Sequence, residues 1–74
     1  MNIVFPVRGE FIQLDQLLKA AGLCVSGGFA HAEIVAGKVL VDGVAESRKR
    51  AKLRPGQQVS YGEETIRLVA AEGA

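Results

Sequence analysis

LDQLLKAAGLCVSGGFAHAEIVAGKVLVDG, residues 14–43, changes its period twice, and those changes decide the fold. From Phe11 the spacing is helical: Leu14, Leu17, Leu18 and Ala21 fall at i, i+3, i+4 and i+7 and form one apolar stripe. Asp15 suits the positive end of that helix and Lys19 the negative end, while Gly22 can take the left-handed conformation that stops it. Ser26 then offers a hydroxyl cap to a second helix, expected from about Gly27 to Ala36 and closed by Gly37. Phe29, Ala30 and Ile34 are its expected core residues, and Ala30 and Ala32 are small enough to let the two helices approach closely. After Gly37 the period becomes that of strands. Val39–Val41, Asp42-Gly43 and Val44-Ala45 spell a tight β-hairpin.

On the N-terminal side, Asn2 to Val7 reads as a strand that Pro6 either confines to a sheet edge or places near the strand's end, and Gly9 permits a turn. On the C-terminal side a basic segment reads as a loop or irregular edge, and Pro55-Gly56 makes another turn. Gln58–Tyr61 resumes a strand with Val59 inward, residues 62–64 turn again, and Thr65–Val69 alternates with Ile66 and Leu68 on one face. A small-residue tail ends the chain. The expectation is one α+β domain over residues 1–74, with its core at about 10–69: two short helices against a small, mostly antiparallel sheet.

With 49% hydrophobic and 23% charged residues in 74, the composition is that of a small globular chain with one modest core. A domain of this size buries only about 60% of the surface its unfolded chain exposes, which leaves little scaffold for a catalytic cleft. The lone Cys24 cannot pair within the chain and fits a reducing, cytoplasmic setting. Pro6, Arg8 and Glu10 interrupt any signal-like apolar start, and no stretch approaches the roughly 18 apolar residues of a membrane span.

Charge is informative once it is mapped along the chain. The formal net is only +1, yet Arg48, Lys49, Arg50, Lys52 and Arg54 lie together, with no acidic residue between Glu46 and Glu63. The rest of the chain is net acidic. A concentrated cationic segment on such a body attracts an anion locally and leaves the protein soluble.

Three features can meet an anion: the basic segment, the hairpin turn, and Ser26-Gly27-Gly28, whose helical amides no side chain obstructs. Each has a structural alternative, namely a solvated loop for the cations and simple capping and close packing for the glycines. His31 either adds a donor to the same surface or sits exposed on its helix. Cys24 reads as filler between the helices, since a nucleophile would need a base held by a third group and His31 is the one histidine. One Cys and one His fall short of a metal site, and no cofactor motif occurs. Phe5, Phe11 and Phe29 read as core, leaving Tyr61 for base stacking, so recognition by shape and phosphate is favoured over sequence reading of single strands.

The order of LDQLLKAAGL, SGGFAHAEIVAG, KVLVDG and ESRKRAKLRPGQQV resembles the S-four RNA-binding domain over most of the chain, in particular its free-standing, YbcJ-like bacterial members. The resemblance implies an αL motif, two antiparallel helices on a small twisted sheet, with RNA held along the helix pair and the adjoining β-loops. Carried over by position, the RNA-binding surface comprises Ser26, Gly27, Gly28, His31, Lys38, Arg48, Lys49, Arg50 and Lys52, while the facing of Lys19, Arg54 and Arg67 stays open. Similar sequences usually have lysine at the position of His31, asparagine at Asp42 and an acid at Gln57. The implied function is non-catalytic binding of structured RNA, ribosomal or transfer RNA, with or without a ribosomal or other protein partner. The rival is a protein-interaction module that docks an acidic partner on the basic loop.

Overall fold

A computed structural model describes residues 2–71; the end of the expected small-residue tail, residues 72–74, lies outside the described residues. The elements are β1 (Asn2–Val7), β2 (Ile12–Gln13), α1 (Leu14–Ala20), α2 (Gly27–Val35), β3 (Val39–Val41), β4 (Val44–Ala45), β5 (Lys52–Leu53), β6 (Gln58–Tyr61) and β7 (Glu64–Ala70). A five-stranded sheet runs β1-β7-β6-β3-β4, and β2 pairs with β5 in a separate two-stranded ribbon. Every pair is antiparallel except β1–β7, where Asn2 is aligned with Thr65 and Val7 with Ala70. The architecture is α+β, with two helices and a mostly antiparallel sheet. β1 lies at the sheet edge, the place expected of a strand whose Pro6 can donate no ladder hydrogen bond.

Both helices stop by the same device. In α1 Gly22 takes φ +78°, and the amides of Gly22 and Leu23 return to the carbonyls of Lys19 and Leu18. In α2 Gly37 takes φ +79°, and the amides of Gly37 and Lys38 return to Ile34 and Glu33. This is the paired bonding of a glycine-terminated helix, and it satisfies carbonyls that would otherwise be orphaned. Ser26 Oγ accepts from the Phe29 amide at 3.2 Å, as a cap should. In the hairpin Asp42 and Gly43 both have positive φ, the geometry of a two-residue primed turn.

The core gathers Leu14, Leu17 and Leu18 of α1, Ala30 and Ile34 of α2, and Val39, Val59, Ile66 and Leu68 of the sheet, with Val7, Cys24, Ala51 and Leu53 closing its margins. Four expectations change. Helix one does not begin at Phe11: Ile12 and Gln13 are drawn into strand pairing with Leu53 and Lys52, and the helix starts at Leu14. Phe29 is 45% exposed, because the core-facing line of α2 runs through Ala30 and Ile34 and leaves position 29 on its flank. Ala32 faces solvent, so Ala30 alone of the two alanines is in the core. Phe11 is half-buried and stands outside the core cluster.

Candidate nucleic-acid interface

The basic segment is pinned by its own backbone. A turn closes from the Ala51 amide to the Arg48 carbonyl at 3.1 Å, and the same stretch passes carbonyls to α1: Leu14 N–H donates to Ala51 at 2.9 Å and Asp15 N–H to Lys49 at 3.0 Å. Two free amides of a helix N-terminus are thereby satisfied. Over residues 50–54 exposure alternates. Ala51 and Leu53 are buried, whereas Arg50 in the turn, Lys52 in β5 and Arg54 just after it are exposed, so the segment anchors itself through two apolar side chains and leaves three cations in solvent. The expected loop is thus partly strand, and Arg54, whose facing the sequence left open, is exposed.

The cations are not equivalent. Arg48 is held by Glu46 through Nε and Nη2, both at 3.0 Å, and its backbone amide donates to the same carboxylate. Those hydrogen bonds hold the Glu46 carboxyl down at about 2 and push the guanidinium upward from its ordinary value. Lys52 Nζ lies 5.0 Å from the centre of the Phe11 ring. Lys49, Arg50 and Arg54 have no acidic partner among the described residues. Arg48, Arg50, Ala51 and Lys52 border a shallow depression of about 410 Å³.

Asp15 links this segment to the second helix. Its amide is bound by Lys49, and its carboxylate, in a residue only 8% exposed, accepts from the Gln16 amide at 2.8 Å and meets His31 Nε2 at 2.7 Å. His31 is therefore neither a free donor nor a bystander. It ties α2 to α1, with its other ring nitrogen remaining. One turn back lie Gly27 and Gly28, where a Cβ would meet nothing within 4 Å. His31 thus connects through Asp15 to Lys49 and its neighbours, while Ser26, Gly27 and Gly28 stand at the start of the same helix.

Lys38 does not join them. Its ammonium is 3.1 Å from Glu33, whose other oxygen accepts the Tyr61 hydroxyl at 2.5 Å. The carboxylate is lowered first by Tyr61 and then by Lys38, and the phenol is pushed up to about 12, chiefly by Glu33. These groups line a depression of about 740 Å³ with Glu63 and Glu64, larger than the basic one and acidic. On the helical wheel Phe29 shares the Glu33 flank, opposite His31. Cys24 is buried, and burial, then Glu33, raises its thiol.

No helix of the described residues is long and apolar enough to cross a membrane, and no group of three or more His, Cys, Asp or Glu that could hold a metal ion occurs among them.

Residues 5–69 match a family model described as the S4 domain. The chain is 42% identical over 59 residues to "Putative RNA-binding protein YbcJ" of Escherichia coli K12, covering 80% of this chain and 84% of that protein. A Shigella flexneri protein, "Uncharacterized protein YbcJ", matches with the same figures. Among solved structures, the solution structure of YbcJ from E. coli, described as revealing an αL motif involved in RNA-binding, superposes with a TM-score of 0.65 at 36% identity, covering 93% of this chain and 86% of that one.

Proposed function

The chain belongs to the S4 domain family, and from that premise we propose that it is a non-catalytic RNA-binding protein that holds structured RNA, ribosomal or transfer RNA, mainly through phosphate contacts in the cytoplasm. One observation carries the reading: Arg50, Lys52 and Arg54 are all exposed on a short segment whose backbone is already fixed, with Lys49 beside them. Cations so placed need little ordering on binding, and arginines can grip phosphate oxygens in pairs. Ser26, Gly27 and Gly28, at the start of the helix that His31 ties to Asp15, extend the same surface onto α2. Arg48 and Lys38 are both paired to glutamates, and that pairing holds them back from phosphate in the native protein.

The test is crosslinking in cells followed by sequencing of the recovered RNA, beside a salt titration of binding in vitro. Recovery of ribosomal or transfer RNA, with affinity falling steeply as salt rises, is the expected result. A stoichiometric acidic protein with no RNA would replace this reading with the protein-interaction one.

A further inference from the structure

The β2–β5 ribbon has an outer face, and its composition is unusual. Ile12 is aligned with Leu53 and Gln13 with Lys52. Because side chains alternate along a strand, Leu53, which is 2% exposed, and Ile12 turn to the core, and the opposite face carries Gln13 with Lys52, flanked by Phe11 on one strand and Arg54 on the other. The contact between the Lys52 ammonium and the Phe11 ring agrees with that placement. An aromatic ring therefore sits among cations at the surface, outside the core cluster that takes Phe5 as a packed neighbour.

We propose that this ribbon face binds an unpaired stretch of RNA, with successive phosphates following Arg50, Lys52 and Arg54 and one nucleobase stacked on Phe11. The inference rests on the RNA-binding reading above and specifies which part of a structured RNA the ribbon takes: a loop, bulge or end. Charge complementarity selects the ligand. Lys52 and Arg54, two residues apart where the chain is extended, are separated by about 6.6 Å, and Arg50 adjoins them from the preceding turn, so the three offer successive charges to an extended single backbone, charged at every nucleotide. A row of charges alone would suit any polyanion, but the ring adds a preference, because a flat apolar surface beside phosphate-binding cations suits a base that no duplex partner covers. The ammonium now over the ring is on a flexible four-carbon stem. It moves to a phosphate as the base takes its place, exchanging one weak contact for two.

The test uses Phe11→Trp, which introduces the sole tryptophan of the chain, and two probes: single-stranded oligo(A) and a blunt RNA duplex without unpaired nucleotides. Oligo(A) should quench the tryptophan emission and the duplex should not. Phe11→Leu should weaken oligo(A) binding roughly 5- to 160-fold, the range for one lost stacked base, and leave the salt slope unchanged. Replacing Arg50, Lys52 and Arg54 together by Ala should lower that slope by about 2 to 3. Should Phe11→Leu fail to fold, Phe11→Tyr and the tryptophan signal carry the comparison. Unmoved emission, with the triple variant still lowering the slope, overturns the stacking seat and leaves RNA binding standing. An unaltered slope in the triple variant overturns the phosphate row. If neither probe nor cellular RNA binds, the parent reading falls as well.

Discussion

Replacing Glu46 by Gln should increase the salt dependence of RNA binding, because it releases a guanidinium that the native protein already holds at the surface. In the native chain Arg48 makes two 3.0 Å hydrogen bonds to Glu46, leaving Lys49, Arg50, Lys52 and Arg54 as the cations of that segment without an acidic partner. At about 0.7 to 0.9 per phosphate contact, four contacts give a logarithmic slope of about −3. The variant adds one contact and should steepen it by about 0.8, so the loss of affinity between about 50 and 200 mM salt grows roughly threefold. Acidification is no substitute for the mutation. The Glu46 carboxyl is depressed to about 2, so the contribution of the pair is complete above the ordinary carboxylate value and is lost only as pH falls from there toward 2. Fluorescence anisotropy on a labelled RNA stem-loop, titrated at several salt concentrations, reads the slope directly. Arg48→Ala in the native background should leave the slope unchanged and should abolish the gain in the Glu46→Gln background. A native-background Arg48→Ala that flattens the slope as much as Arg50→Ala would mean the pair opens on binding, and the division between paired and available cations would be refuted.

Gly28→Ala should raise thermal stability slightly, by about 0.5 to 1 kcal/mol, since a Cβ there meets nothing; a simultaneous loss of RNA affinity would place an RNA group against the helix backbone. Gly22→Ala should cost about 1 to 2 kcal/mol in chemical denaturation because of its left-handed φ alone. Tyr61 is the sole tyrosine, so tyrosinate absorbance should titrate near 12, and Glu33→Gln should bring the midpoint back toward the ordinary value. The raised phenol stabilises the protonated folded state, so its contribution is full below the ordinary value of about 10 and disappears as pH climbs toward 12. Ser26→Ala should cost about 1 kcal/mol through the lost cap, measured by urea unfolding.

Local chemistry was the legible part of the fold. The two helices with their glycine stops, the Ser26 cap, the Asp42-Gly43 turn and the inward faces of β6 and β7 all follow from spacing and from single residues with strong backbone preferences. The β2–β5 ribbon was not legible, because each strand is two residues long and exists only through its partner, which the chain supplies some forty positions later. That ribbon starts α1 late and takes Phe11 out of the core. Phe29 failed for a different reason: apolar character says a residue can be buried, but in a helix such as α2, whose apolar residues are spread around its circumference, it does not say which flank is. At the candidate site, sequence located the cations and could not sort them. Glu46, counted as the border of an acid-free stretch, turns out to hold Arg48, whereas the apolar Ala51 and Leu53 in RAKLR were a signal that would have put Arg54 in solvent as well as Arg50 and Lys52.

The parallel pairing of β1 with β7 sets an order of events in folding. The helices, the hairpin and β6 close over short chain separations, but β1 has to wait for a strand near the far end of the chain, and loop-closure entropy makes such a contact a late one. In a newly emerging chain Ile3, Phe5 and Val7 would thus be made long before β7 and be among the last to be sheltered. Pro6 in their midst, with no amide to donate, lowers the chance that this waiting segment pairs with another copy instead.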